Sequence, residues 1–354
     1  MLLIVIYFQK CGSFSECVPY YLCSNGSIIT DGQNILDIRG AFKTEHEKCV
    51  DYFEQCCDID DIVSPPQVQQ KADVKSHKCG YSNTNGVEFR ITGNENNEAE
   101  YGEFPWMMAI LKEEKTLEKV LNIYQCGGSL IHPSVVMTVA HCVANETPSS
   151  LKVRAGEWDT QTTSEPFPHV DADVESIVIH EHFYPGGLFN DIALLFLKTP
   201  ISKTQHIDSI CLPPQGISFD GSRCFASGWG KNDFGVEGKY QVILKKIDLP
   251  IIPQSQCQMD LRTTRLGRRF RLHKSFICAG GENGKDTCKG DGGSPLVCPI
   301  PGMDGHYYQA GIVSWGIGCG ENTSPGVYVQ VSMFRDWIDE KMFEDGLETR
   351  SYNI

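Results

Sequence analysis

Residues 288–298 read Cys-Lys-Gly-Asp-Gly-Gly-Ser-Pro-Leu-Val-Cys, a glycine-rich loop that runs directly into an apolar stretch. Two shorter segments upstream each carry one ionisable residue beside apolar neighbours. Residues 138–142 read Thr-Val-Ala-His-Cys, and residues 190–195 read Asn-Asp-Ile-Ala-Leu-Leu. The apolar run that follows Asp191 predicts a buried strand, which would hold the carboxylate away from water.

The chain order of His141, Asp191 and the glycine loop is that of the triad in one class of hydrolases. In such a triad a serine hydroxyl attacks a carbonyl, the histidine takes its proton, and the aspartate fixes the imidazole tautomer. The loop resembles the Gly-Asp-Ser-Gly-Gly-Pro segment that carries the serine in that class, and the resemblance implies that Gly292 occupies the nucleophile position, so the attacking atom is missing. Because loss of a triad nucleophile costs roughly a million-fold in turnover, we expect no useful hydrolysis.

Ser294 is the alternative nucleophile, because Gly-Gly-Ser-Pro contains the letters of Ser-Gly-Gly-Pro in another order. A displacement of two residues moves a side chain by several ångströms, whereas a base must lie within roughly 2.6–3.2 Å of the hydroxyl. His141 would reach Ser294 only in a rebuilt loop. An active protease that uses Ser294 is therefore the lesser hypothesis.

The composition sets the compartment and the class of partner. The chain has 354 residues, 41% of them hydrophobic, which is the length of two or three domains. Its formal net charge of −14 argues against nucleic acid or an anionic membrane as a partner. Its 16 cysteines, an even number without metal-like clustering, predict a disulfide framework and a secreted protein.

The start of the chain is similar to part of a signal peptide. Residues 1–8 are apolar, but they lack a basic start and a small-residue cleavage site. We interpret residues 1–10 as the remnant of such a segment, and the sequence predicts a truncated start. No later apolar run is long enough to span a bilayer.

Cysteine spacing and hydrophobic periodicity divide the rest of the chain. Residues 11–57 hold six cysteines, a set that allows fifteen pairings and staples a domain too small for a sizeable core. Residues 58–90 are polar and contain adjacent prolines, as expected of a linker. Residues 91–354 show short apolar runs between glycine-rich turns and predict an all-β domain. The spacing of Phe334, Trp337, Ile338 and Met342 predicts a terminal helix packed on it.

Residues 290–295 resemble the Gly-Asp-Ser-Gly-Gly-Pro segment of trypsin-like serine proteases, and residues 11–57 resemble a clip domain. Residues 17–23, Cys-Val-Pro-Tyr-Tyr-Leu-Cys, are the most specific part of the second likeness. Nearly the whole chain is similar to the clip-domain serine protease homologues of arthropods, in the group of prophenoloxidase-activating factor II and masquerade-like proteins. The resemblance implies a double six-stranded β-barrel with a C-terminal helix, preceded by a small disulfide-rich clip domain.

The same resemblance implies a partner for every cysteine. The implied bridges are Cys11–Cys56, Cys17–Cys49, Cys23–Cys57, Cys79–Cys211, Cys126–Cys142, Cys224–Cys298, Cys257–Cys278 and Cys288–Cys319. The bridge between Cys79 and Cys211 would join the linker to the second domain. It would keep the two parts together after cleavage.

A pocket for a basic side chain is also implied. Asp286 stands six residues before Gly292, where the family places the acid at the base of this pocket, and the matching wall residues are Ser314, Trp315, Gly316 and Gly326. Two interpretations stay open. The pocket binds a basic side chain without cutting it, or it is inherited architecture whose mouth is closed.

Family members are activated by cleavage before a hydrophobic residue, whose new amine pairs with an aspartate. The matching residues are Arg90, Ile91 and Asp291. The segment after the cut reads Ile-Thr-Gly-Asn instead of Ile-Val-Gly-Gly, which weakens the match. Asn94 tolerates the left-handed conformation that a glycine would take there.

This interpretation requires no cofactor, but it allows one bound metal ion, calcium. Glu157, Asp159 and Glu165 surround a loop that in relatives holds calcium through oxygen ligands. Its length departs from the commonest pattern, and an exposed acidic loop is the alternative. His169 shows no metal-like spacing.

Two surface features remain. A basic run between the two cysteines of the Cys257–Cys278 pair is either a solvated face or a docking surface; it contains Arg262, Arg265, Arg268, Arg269, Arg271 and Lys274. Sequons for N-glycosylation begin at Asn25, Asn145 and Asn322.

The residues alone predict a secreted pseudoprotease that binds proteins. The resemblance implies a non-catalytic cofactor of haemolymph immune cascades, which is cut by an upstream clip protease, associates with itself and helps prophenoloxidase become active in melanisation. The alternative is a decoy or adhesion protein that binds basic peptides or microbial surfaces through Asp286.

Overall fold

The computed structural model describes residues 10–12, 14–19, 49, 54–61, 78–87, 97–115, 120–161, 165–230, 241–282, 291–317 and 324–354. Outside these residues lie the predictions on Arg90, Ile91, Asp286, Asn25 and Asn322, the Cys288–Cys319 bridge, and the Cys23 side of the Cys23–Cys57 bridge.

Two short antiparallel strands form the described part of the first domain: β1 (Ser15–Pro19) and β2 (Glu54–Asp58). The Cys11–Cys56 disulfide links β2 to the segment before β1, and the Cys17–Cys49 disulfide links β1 to the segment before β2. A two-stranded sheet is marginally stable in water, so these covalent links supply stability that its small core does not. Both pairings are those implied by the resemblance, and Cys57 is also disulfide-bonded.

Two closed six-stranded barrels form the second domain. The first barrel has the strand order β3-β4-β5-β8-β7-β6. Its strands are β3 (Met107–Lys115), β4 (Val120–His132), β5 (Val135–Thr138), β6 (Leu151–Ala155), β7 (Val170–Ile179) and β8 (Ala193–Leu197). Strand β5 pairs with β8 so that Thr138 faces Ala193. This register brings the residues just after β5 and just before β8 to one edge of the barrel.

The second barrel has the strand order β10-β11-β14-β13-β12-β9. Its strands are β9 (Arg223–Gly228), β10 (Lys245–Ile252), β11 (Phe276–Gly280), β12 (Pro295–Pro299), β13 (Tyr307–Trp315) and β14 (Pro325–Gln330). The glycine loop leads directly into β12. The Gly127 N–H donates to Gly292 O at 2.9 Å, which ties this loop to the first barrel. The double barrel predicted from the resemblance is confirmed.

The α-helices among the described residues are α1 (Ala140–Val143), α2 (Gln254–Thr263) and α3 (Arg335–Glu344). Helix α3 is the predicted terminal helix, and Ile338 and Met342 are fully buried beneath it. The residues after it also pack inward, since Tyr352 is fully buried and its hydroxyl donates to Asp339 Oδ1 at 2.7 Å. Asn145 is exposed in the turn after α1.

The second half of the predicted linker is hydrogen-bonded to the barrels. Residues 78–87 carry the Cys79–Cys211 disulfide. The Gly80 N–H donates to Ser209 O at 2.8 Å, and the Tyr307 N–H donates to Gly80 O at 2.9 Å. The sequence did not predict this docking, because backbone pairing with distant residues leaves no local composition signal. Over the described ranges, no helix has the length and apolarity needed to cross a membrane.

Candidate functional site

His141 and Asp191 meet at the edge of the first barrel. His141 Nδ1 lies 2.7 Å from Asp191 Oδ2, and the His141 backbone N–H donates to Oδ1 at 2.8 Å. The Ser314 hydroxyl donates to Oδ2 at 2.7 Å. Three donors thus satisfy a carboxylate that is fully buried. This arrangement assigns the imidazole proton to Nδ1 and leaves Nε2 as the free acceptor.

Gly292 lies opposite the free nitrogen of His141. A Cβ atom on Gly292 would lie 3.5 Å from His141 Nε2 and 3.8 Å from the Sγ atoms of Cys126 and Cys142. These are ordinary van der Waals distances, and the Gly292 backbone is not in the left-handed region. The neighbouring Gly293 differs, since its φ is 83° and a Cβ there would overlap Gly127 O. The fold therefore requires glycine at position 293 but accepts a side chain at position 292.

Ser294 does not face the cleft. Its side chain is fully buried, and within the described part of the chain its hydroxyl has no hydrogen-bond partner. A Cβ atom on Gly127 would overlap this hydroxyl, and one on Gly228 would lie 3.1 Å from it. The hydroxyl thus points between the barrels, where neither a substrate nor His141 reaches it. The structure contradicts the hypothesis of an active protease that uses Ser294.

The Asp291 carboxylate lies in a recess lined by backbone. Its Oδ1 accepts a hydrogen bond from the Gly230 N–H at 2.8 Å. A Cβ atom on Gly228 or Gly230 would overlap the carboxylate, so both positions require glycine. The expected pairing with the amine of Ile91 stays a prediction.

The wall predicted for the pocket is only partly assembled from described residues. The Ser314 hydroxyl is committed to Asp191. The half-buried Trp315 ring packs edge-on against Phe270 and Phe276, at centroid distances of 6.2 Å and 5.9 Å. Gly316 is half-buried and Gly326 is buried. Without a described Asp286, the pocket and the decoy hypothesis stay predictions.

Glu157 and Asp159 are buried and Glu165 is partly buried, which corrects the expectation of exposed acidic side chains. Glu165 Oε1 accepts the backbone N–H groups of Trp158 and Asp159, both at 2.9 Å. Arg154 Nη1 donates to Glu157 Oε2 at 3.1 Å. Burial raises the pKa of Glu157 to about 7 and raises that of Glu165 well above its ordinary value.

Two carboxylate oxygens are buried without a hydrogen-bond partner among the residues that the structure describes: Glu157 Oε1 and Glu165 Oε2. His169 completes the group, because one ligand atom from each of the three side chains lies within 4.8 Å of the others. Asp159 is not part of this group; its Oδ1 accepts the Gln161 N–H at 3.0 Å. Two orphaned oxygens in a buried site fit a hard divalent cation. Sequence spacing did not indicate His169, because the pairing of β7 with β6 brings it close to the two glutamates.

Comparison with protein families covers both domains. The family described as "Trypsin" matches residues 94–338, and the family described as "Serine protease Clip domain PPAF-2" matches residues 7–58.

Similar proteins come from several arthropods. "Phenoloxidase-activating factor 2" of Galleria mellonella is 55% identical, over 83% of this chain and 97% of the relative. "Inactive CLIP domain-containing serine protease A28" of Anopheles gambiae is 38% identical, over 96% of this chain and 91% of the relative. "Protein masquerade" of Drosophila melanogaster is 36% identical, over 80% of this chain and 26% of the relative. The chain therefore belongs to the trypsin family, as one of its clip-domain serine protease homologues.

Proposed function

We propose that the protein is a secreted, non-catalytic cofactor of an extracellular protease cascade, and that the cascade activates prophenoloxidase. The observation that carries the proposal is the geometry of Gly292. The position that faces His141 Nε2 at side-chain distance has no side chain. The histidine therefore has no hydroxyl to deprotonate, and no attacking atom is present.

The rest of the site supports a binding role. The His141–Asp191 pair keeps its hydrogen bonds, so the cleft retains its shape without its nucleophile. Loss of the nucleophile alone removes about six orders of magnitude of turnover. Such a scaffold still presents surface to other proteins. Relatives whose names include "inactive" agree with this role.

The cascade is inferred from the relatives, of which one bears the name "Phenoloxidase-activating factor 2". The partners that we propose are prophenoloxidase and an upstream clip protease that cuts after Arg90, with self-association of the cut form. The Cys79–Cys211 disulfide and the backbone hydrogen bonds of Gly80 would hold both products together. Cleavage would then change the conformation of the protein without releasing the clip domain. Haemolymph is the compartment that this role implies.

The test is a reconstitution of prophenoloxidase with its activating protease. The protein is added uncut or cut by a clip protease, and phenoloxidase activity is read beside hydrolysis of an arginine ester. We expect a large gain in phenoloxidase activity and no ester hydrolysis from the protein alone. An Arg90→Gln variant, treated identically, controls for cleavage. Absence of any gain with the cut protein would refute the cofactor role.

A structural cation accompanies this proposal. Glu157 and Glu165 would hold calcium through their unpartnered carboxylate oxygens. The ion would supply positive charge to two buried acids and would stabilise the loop. It would take no part in chemistry at His141.

A further inference from the structure

The loop that follows α2, residues 264–274, is the arginine loop. Five of its cations are exposed: Arg265, Arg268, Arg269, Arg271 and Lys274. Elsewhere on the described barrels, cations such as Lys112, Arg223 and Lys341 pair with carboxylates. Within the described part of the chain, none of the five forms an ion pair. The loop is thus a concentrated positive surface on a chain of net charge −14.

The arginine loop is anchored from inside. Leu266 and Phe270 pack against the buried cluster that contains Leu261 and Phe276. Two successive turns, closed by the Gly267 and Phe270 N–H groups, fix its backbone.

Side-chain hydrogen bonds add to this anchoring. Arg262 Nε donates to Phe270 O at 2.8 Å, and the Leu272 N–H donates to Gln258 Oε1 at 3.1 Å. The apolar residues are therefore held inward and the cations outward before any partner arrives. Less conformational entropy is lost on binding to such a loop.

The arginine loop lies beside the cleft that contains His141 and Gly292. The Phe270 ring meets the Trp315 ring at 6.2 Å, and Trp315 follows Ser314, which bonds to Asp191. Met259, in the helix that leads into the loop, is 52% exposed. An exposed apolar side chain thus accompanies the cations, a combination suited to a protein surface rather than to a purely ionic ligand.

We propose that the arginine loop is a docking site for an acidic segment of another protein. Four of its five cations are arginines, whose planar guanidinium groups bind carboxylates with two hydrogen bonds. The negative charge of the remainder of the chain disfavours acidic partners elsewhere, so such a segment is directed to this loop. The inference rests on the charge and anchoring of the loop and not on the cofactor role. The binding test and the reconstitution can therefore fail independently.

The test measures binding of a fluorescein-labelled peptide of ten glutamates to the full chain by fluorescence polarisation. The loop variant is Arg268→Ala/Arg269→Ala. The control, Lys198→Ala/Arg350→Ala, removes the same charge from exposed positions outside the loop. We expect the loop variant to raise Kd about tenfold, which is about 1.4 kcal/mol, and the control to change it less than twofold. Added salt should weaken binding to the parent protein.

Three results would overturn the proposal: no peptide binding by the folded parent protein, equal losses in both variants, or binding of a heparin fragment where the peptide does not bind. The last result would identify the loop as a polysaccharide site. Unchanged thermal unfolding of both variants shows that a lost signal is not a lost fold. We expect it for the loop variant because, among the described residues, Arg268 and Arg269 have no ion-pair partner to lose.

Discussion

Restoring a hydroxyl at position 292 should give this protein hydrolytic activity. In the Gly292→Ser variant the new Cβ would lie 3.5 Å from His141 Nε2, which is its nearest atom among the described residues beyond its chain neighbours. A rotamer that turns the hydroxyl toward Nε2 would bring it within the roughly 2.6–3.2 Å at which a base takes a proton. Neither the backbone conformation of Gly292 nor its neighbours have to change to accept it.

The size of the gain follows from the cost of the missing group. A missing triad nucleophile costs roughly a million-fold in kcat, which is about 8 kcal/mol of activation free energy. We expect the variant, cut after Arg90, to recover at least about a thousand-fold of this, because the His141–Asp191 geometry is already in place. The assay is hydrolysis of an arginine thioester, together with covalent labelling by a fluorophosphonate probe.

Two matched variants make the result decisive. Gly292→Ala fills the same position without a hydroxyl and should gain nothing, while its stability should stay equal or rise by about 0.4–1 kcal/mol. Adding His141→Ala to Gly292→Ser should abolish the labelling. If the cut serine variant folds, as judged by thermal unfolding, yet neither hydrolyses nor labels, then the His141–Asp191 pair is not ready for catalysis and the reasoning from geometry is wrong.

Three further predictions concern stability and cleavage. Calcium at a hundred times its Kd should add about 2.7 kcal/mol to the free energy of unfolding and raise Tm by roughly 5 °C or more, whereas Glu165→Gln should abolish the response; an unchanged Tm in calcium would contradict the proposed site. Burial lowers the pKa of His206 to about 4, so the unfolded chain takes up the proton first and the free energy of unfolding should fall by up to about 3 kcal/mol as pH drops from 6.5 toward 4. The free energy of unfolding, measured with urea across this pH range, should depend less steeply on pH in His206→Gln than in the parent protein. An identical pH dependence would rule out His206 as its source. After cleavage at Arg90, the fragments should stay together on non-reducing gels and separate in a Cys79→Ser/Cys211→Ser variant; separation of the parent protein would exclude the link.

The sequence predicted the parts of the site that lie in short continuous segments. His141, Asp191 and Gly292 could be placed because each stands in a motif whose local conformation its neighbours determine. The burial of Ser294 was not predictable in the same way. It depends on which side of the chain faces the first barrel at the start of β12. The displacement of two residues is an argument from distance against Ser294 as the nucleophile. The structure adds a second argument, because the Ser294 side chain is fully buried.

Contacts between distant strands account for the remaining differences between the site predicted from the sequence and the site in the structure. His169 joins Glu157 and Glu165 because β7 pairs with β6, and no spacing along the chain encodes that register. The resemblance to calcium-binding relatives implies Asp159 as a member of the same site, but its carboxylate accepts the Gln161 N–H in a local turn. The hydrogen bond from Ser314 to Asp191 joins residues 123 positions apart, so only the assembled barrels reveal it.

The hydrogen bonds around Asp191 help to explain how a catalytic pair persists without catalysis. Replacing His141 or Ser314 would leave a buried carboxylate short of donors, and an unsatisfied buried group costs about 1–3 kcal/mol, more when charged. That loss is a large share of the net stability of a folded domain. The need to remain folded is thus sufficient to maintain two members of a triad after the third is gone. A histidine and an aspartate in triad order therefore indicate constraints on folding as much as catalytic activity.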